Sequence, residues 1–241
     1  MVPPPYLGIW RRDWIDRYDE HGASHRDLQP AIWFQSRRYH VDLRIDPKLA
    51  NVTTSESKVI FERAQIAFAG STVVNASDGR EMCSWHPRIA YPRLTDEVDA
   101  GFMHFESAAH VMEHGLDGRY LESWRRINHG DDAIRCLQFV SSSEPTHECF
   151  LMLCGPYFAL GSNCPDACNL QLPVYAWGEC CDSECGNSEW IIRESIAPWN
   201  VGRLVNVDQA LIDAACAPRS IVPDWTLPLL SDSHWRLIDI D

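Results

Sequence analysis

No stretch of this chain approaches the roughly 18 consecutive apolar residues of a transmembrane helix, which excludes a helical membrane span. The phosphate-cradling GxGxxG and GxxxxGK[ST] loops are missing, as are the HExxH zinc motif and the GxSxG nucleophile elbow. Nucleotide-dependent, zincin and α/β-hydrolase chemistry therefore lose their usual support, and no cofactor is expected. Positive charge is scarce, with 21 Lys plus Arg against 34 Asp plus Glu and a net charge of −13. The arginines come as scattered pairs, Arg11-Arg12, Arg37-Arg38 and Arg125-Arg126, instead of a stripe. A phosphate backbone would be repelled, and nucleic acid is not expected as a partner. The opening Met1-Val2-Pro3-Pro4-Pro5-Tyr6 lacks the basic-then-apolar pattern of a secretory signal, so a cytoplasmic location is expected.

What is present in quantity is tryptophan (ten), proline (fifteen) and cysteine (ten) in 241 residues. Flat aromatic surface and frequent strand-ending punctuation favour sheets over helices. The length suits one all-β domain or two of about 120 residues. In a reducing compartment most of the cysteines would stay thiols that pack as small hydrophobes.

Short β-branched or aromatic runs at 7–14, 31–34, 39–45, 72–75, 101–105 and 110–114 read as strands. Turn chemistry at Gly22-Ala23-Ser24, Ala76-Ser77-Asp78-Gly79 and Leu116-Asp117-Gly118 separates them. Helices are expected at 54–67, capped by Ser55, and at 207–216, capped by Asp208. Tyr6-Leu7-Gly8-Ile9-Trp10-Arg11-Arg12 returns as Tyr120-Leu121-Glu122-Ser123-Trp124-Arg125-Arg126, identical at five of seven positions. Such an echo predicts two copies of one unit, 1–118 and 119–241. Each copy would open with a strand whose Trp closes one end of a barrel while the following Arg covers the indole. The expected fold class is all-β: two fused lipocalin-like antiparallel barrels arising by internal duplication, with one or two short helices.

The echoed segments do not stand alone. Trp33-Phe34-Gln35, Val41-Asp42-Leu43-Arg44-Ile45, Phe68-Ala69-Gly70, Trp85-His86-Pro87-Arg88 and Asp99-Ala100-Gly101-Phe102-Met103 follow in order. Then come Glu113-His114-Gly115, Gly155-Pro156-Tyr157-Phe158, Glu184-Cys185-Gly186, Trp190-Ile191-Ile192 and Pro198-Trp199-Asn200-Val201-Gly202. Together they resemble the Hri proteins, a small group of two-domain lipocalin-like proteins named for a yeast kinase interactor and also present in bacteria. The resemblance implies a pair of barrels side by side and no particular reaction. This chain departs from the pattern in its cysteines, concentrated between Cys149 and Cys185.

Several constellations could carry chemistry. Alternation places His40, Asp42 and Arg44 on one face of a strand and Tyr39, Val41 and Leu43 on the other. Lining a cavity, the polar face would offer a base, a carboxylate and a guanidinium for proton transfer. A salt-bridged outer face is the more ordinary outcome, because sheets normally solvate one side. Phe102, His104 and Glu106 share a face beside a second strand carrying Glu113 and His114, giving either a His/Glu metal site or plain exposed pairing. His86, between Trp85 and Pro87, fits a ligand contact at a barrel mouth or simple loop packing. Glu113 reads as structural, holding Arg126 or Arg12. Cys164, Cys168, Cys180, Cys181 and Cys185 fit a zinc site only loosely, against buried thiols as the alternative, and no metal is expected.

The function expected from these readings is to hold a small hydrophobic or amphipathic molecule in a barrel cavity lined by Trp33, Trp85, Phe102, Glu106 and Tyr157. An alternative is a cofactor-independent isomerase, cyclase or hydratase of secondary metabolism, with His40, Asp42, Arg44, His86 and His104 as its catalytic groups. A third reading is a protein-interaction scaffold with filled barrels. The expected partner is a small hydrophobic molecule, and a homodimer stays open as an alternative to the monomer.

Overall fold

The computed structural model describes residues 1–45, 66–77, 79–94, 98–128, 132–165, 173–182, 188–197, 200–205 and 235–241. The helices expected at 54–67 and 207–216 lie outside the described residues, except that Ile66 and Ala67 begin a strand. Among the described residues the chain is all-β apart from 3-10 conformation at Pro4–Tyr6 and at Asn200, and no helix is long and apolar enough to cross a membrane.

Nine strands form the first sheet: β1 (Gly8–Tyr18), β2 (Ser24–Asp27), β3 (Ile32–Gln35), β4 (Tyr39–Arg44), β5 (Ile66–Ser77), β6 (Arg80–Tyr91), β7 (Asp99–Ser107), β8 (His110–Gly115) and β9 (Tyr120–Arg126). Each pairs antiparallel with its neighbours, and β1 also pairs with β9, so β1 and β3 to β9 close an eight-stranded barrel. The short β2 only extends the far half of β1. Closure removes the exposed edges an open sheet would present. Gly79 and Gly118 sit in hairpin turns at φ of +73° and +72°, backbone that residues with a Cβ adopt only under strain.

The seam of the barrel explains the sequence echo. β1 and β9 are the two echoed segments, and they run antiparallel with Trp10 opposite Arg126 and Arg12 opposite Trp124. Read in opposite directions, the same Trp-Arg-Arg triplet sets each second arginine over its partner's indole. Arg12 lies 5.7 Å from the Trp124 ring centre and Arg126 lies 4.6 Å from that of Trp10. Tyr120 therefore starts the last strand of the first barrel instead of opening a second unit, and the two sheets part between Arg126 and Ile134, not at Gly118.

The second sheet comprises β10 (Ile134–Ser141), β11 (Glu148–Cys154), β12 (Tyr157–Pro165), β13 (Pro173–Asp182), β14 (Ser188–Ser195), β15 (Leu204–Val205) and β16 (Trp235–Ile240), in the order β15-β14-β13-β12-β11-β10-β16. It is a curled half-barrel with both faces apolar, as β11 illustrates: Phe150, Met152 and Cys154 face one core, Cys149, Leu151 and Leu153 the other. The first of these cores is the junction between the sheets, where Phe150, Met152, Tyr175 and Trp177 meet Ile9, Phe34, Val41 and Leu43 of the barrel's outer wall. Asp241 fastens the same junction. Its carboxylate accepts from Ser36 Oγ at 2.6 Å while its backbone pairs with Cys136.

This packing decides the orientation of β4. The second sheet covers the barrel wall on the side of Tyr39, Val41 and Leu43, so His40, Asp42 and Arg44 face the lumen. The solvated outer face expected as the ordinary outcome for those three does not form. Cys83, Cys149 and Cys154 are buried free thiols, Cys136 and Cys164 are buried as well, and Cys180 is half-buried. Burial pushes the Cys154 thiol up to about 12, which suits packing and not nucleophilic use. Among the described residues no group of His, Cys, Asp and Glu is placed to hold a metal ion, while Cys168 and Cys185 lie outside them.

Candidate functional site at the open end of the barrel

One end of the lumen is filled by aromatic rings. Trp33 lies 5.4 Å from Trp85, 6.0 Å from Trp124 and 6.1 Å from Trp10, with Tyr6 and Phe105 packed in the same cluster. Trp33 and Trp85, expected as ligand contacts, belong to this packed floor and are 1% and 5% exposed.

Next to the floor comes a belt of charges. Arg12 Nη1 donates to Glu122 Oε1 at 2.7 Å, and its Nη2 donates to the Gln29 carbonyl at 3.0 Å. Glu113, directly across the sheet from Glu122, accepts from Trp124 Nε1–H at 3.1 Å and from the Tyr120 hydroxyl at 2.9 Å. Burial, reinforced by the Glu122 charge, holds the Glu113 carboxyl well above the usual range. The expectation that Glu113 holds Arg12 or Arg126 is corrected, since Arg12 is paired with Glu122, the other inward acid of the hairpin.

Toward the open end, Arg44 Nε donates to Asp42 Oδ1 at 3.0 Å and Nη2 donates to Asp99 Oδ2 at 2.7 Å. Burial pushes the Asp42 carboxyl up to about 6, against the pull of the Arg44 guanidinium. Arg44 ends β4, Asp99 begins β7 and Tyr120 begins β9, so the barrel brings three strand ends to one rim. With Phe68, Ala90 and Tyr91 they line a cavity of about 590 Å³.

His40 lies behind that cavity in a directional chain of hydrogen bonds. Gln35 Oε1 accepts from Trp33 Nε1 at 3.0 Å and from Thr72 Oγ1 at 2.8 Å. Having given its proton away, the Thr72 oxygen accepts from His40 Nδ1–H at 3.0 Å, which leaves Nε2 as the bare lone pair. Burial pulls the imidazole down to about 3, so the ring stays neutral. It stands edge-on to Phe68 at 5.5 Å, and the Arg44 guanidinium covers Phe68 at 5.0 Å.

Other expected site residues lie elsewhere. His86 is exposed on the outer wall with Nε2 against Ser84 Oγ at 3.0 Å. Phe102, His104 and Glu106 also share the outer wall, because Gly101 and Met103 take the inward positions of β7. Arg80 covers Phe102 at 3.6 Å and Glu106 is bonded to His110 Nδ1 at 2.8 Å, so plain surface pairing is seen there and not a His/Glu metal site. Tyr157 packs half-buried against the junction between the sheets. Of the expected catalytic groups, Arg44 lines the cavity, His40 and Asp42 lie behind it, and His86 and His104 are not brought to it. Phe68, Asp99, Tyr120 and Glu122 are not among the site residues expected from the sequence. Inward parity counted back from Trp124 through Glu122 to Tyr120 carries the signal for two of them.

No described protein family and no curated protein matches the sequence. In three dimensions the chain is similar to the crystal structure of the uncharacterized protein YLR301w of Saccharomyces cerevisiae, with a TM-score of 0.53 and 11% identity over 97% of this chain and 98% of that one. The likeness shows the fold alone.

Proposed function

We propose that the barrel holds a small amphipathic molecule at its open end, as a lipocalin-like binding protein distantly related to the Hri group. The ligand's polar group would lie against Arg44, Asp99 and Tyr120, and its apolar body along Phe68, Ala90 and Tyr91. The observation that carries this reading is the cavity itself. Its 590 Å³ falls in the range of roughly 300–1,000 Å³ common to small-molecule sites. Apolar walls and a few convergent polar groups meet there, and those groups are already fixed by hydrogen bonds, which lowers the entropy cost of binding. The enzymatic alternative has less support, because His86 and His104 sit on the outer wall and His40 is held neutral behind Phe68.

The test uses the neutral fluorophore N-phenyl-1-naphthylamine with the full chain and an Ala90→Trp variant. Ala90 lies opposite Phe68 on the lumen face and lines the cavity, so an indole there fills the space. Saturable fluorescence enhancement with the unaltered chain, reduced at least tenfold in affinity by Ala90→Trp at unchanged circular dichroism, is the expected result. Equal affinity in a folded Ala90→Trp variant overturns the proposal.

A further inference from the structure

We propose that the polar group this cavity takes is a protonated amine, so that the ligand is an organic cation with an apolar body and not a fatty acid or a neutral alcohol. The inference rests on the binding role proposed above and adds the ligand's chemical class.

The argument begins with charge. At the aromatic floor Glu81 and Arg126 add one charge of each sign; above it the described residues of the lumen carry four carboxyl groups, Asp42, Asp99, Glu113 and Glu122, against two guanidinium groups, Arg12 and Arg44. Glu122 takes Arg12, and Asp42 and Asp99 share Arg44. Glu113 is left with neutral donors, the Trp124 indole and the Tyr120 hydroxyl. An arriving carboxylate would find both cations already paired and would face acids from β4, β7, β8 and β9. An arriving ammonium finds an excess of acceptors.

A second observation is independent of charge. The His40 Nε2 lone pair is fully buried and has no hydrogen-bond partner among the described residues. Behind Phe68 the lumen thus holds one more unused acceptor beside its excess of carboxyl groups, and a donor-rich ligand matches that excess. The Tyr120 hydroxyl, whose one proton is shared between Glu113 Oε1 and the Ala100 carbonyl, keeps its oxygen lone pairs as a further acceptor. At the rim, Arg93 and Asp117 are exposed, of opposite sign and screened by salt, and they do not alter the balance inside.

The empty lumen reduces its excess negative charge by retaining protons, since burial raises both Asp42 and Glu113. Binding of an ammonium favours the ionised carboxylate, so a proton leaves for solvent as the ion pair forms: carboxylic acid plus alkylammonium gives carboxylate–alkylammonium plus H⁺.

The experiment is isothermal titration calorimetry of the full chain with octylamine, octan-1-ol and octanoate at pH 7 and physiological salt, in phosphate and in Tris. Octylamine is expected to bind at least tenfold tighter than octanol, with octanoate weakest. The amine alone should show a buffer-dependent enthalpy that reports proton release. Glu113→Gln and Asp99→Asn should each shrink the amine-to-alcohol preference to threefold or less. Octanoate binding as tightly as octylamine, or a preference that survives both substitutions, overturns the inference while the binding role stands. Failure of all three amphiphiles to bind removes the binding role and the inference with it.

Discussion

Replacing Glu122 by leucine removes the partner of a guanidinium with nowhere else to go. Arg12 and Glu122 meet at 2.7 Å with side chains 1% and 5% exposed. Breaking a buried pair from one side costs about 3–5 kcal/mol, because the remaining charge is stranded. Two features here reduce that cost. Arg12 keeps the Gln29 carbonyl and the face of Trp124, and Glu113, relieved of its neighbour, can ionise nearby. A loss of about 2–3 kcal/mol is therefore expected for Glu122→Leu. Arg12→Leu strands the acid instead and should cost a similar amount. The double substitution leaves no stranded charge, so it should be less destabilising than the two single losses added together, with a coupling of at least about 1.5 kcal/mol. Urea unfolding at pH 7 followed by tryptophan fluorescence, with m-values compared across the four proteins, measures the cycle. A Glu122→Leu change below about 0.5 kcal/mol, or strict additivity, would refute the reasoning.

Two further outcomes follow from the site. Asp42 titrates near 6 in the folded chain against an ordinary 3.8, and a raised carboxyl contributes stability at low pH that is lost as pH rises through the folded value. Asp42→Asn should therefore gain on the order of 3 kcal/mol relative to the unaltered chain between pH 4 and 7 and stay level above that; urea midpoints at pH 4.5, 6 and 7.5 test it, and a pH-independent difference contradicts it. His86→Ala and His104→Ala, both on the outer wall, should change N-phenyl-1-naphthylamine affinity less than twofold and stability by less than about 0.5 kcal/mol. A larger loss of affinity in either would place the site elsewhere.

Strand content and alternation are legible in the residues up to 114, while the strands of the second sheet and the partner each face meets are not. In β4 the split between Tyr39, Val41, Leu43 and His40, Asp42, Arg44 is plain, yet nothing local says which side is inside. The answer comes from Phe150 and Tyr175, more than 100 positions away, which cover the apolar side. The repeat of Trp-Arg-Arg misleads for a related reason. Two strands that meet at a barrel seam can share a sequence because each completes the other, and that looks the same on paper as two copies of a domain. Phe102 suggests a core residue by its chemistry, but the inward positions go to Gly101 and Met103 and an arginine covers the ring instead. Asp99 and Tyr120 stand at strand ends, where only barrel closure reveals that they share a rim.

The most direct test of the central claim is photolabelling of the full chain with an alkyl amphiphile bearing a diazirine, mapped by peptide mass spectrometry with and without excess N-phenyl-1-naphthylamine. Competable label on the segments containing Phe68, Tyr91 and Tyr120 is the predicted result. Competable label confined to the outer wall at Phe102 to Glu106, or to the second sheet, would contradict the account.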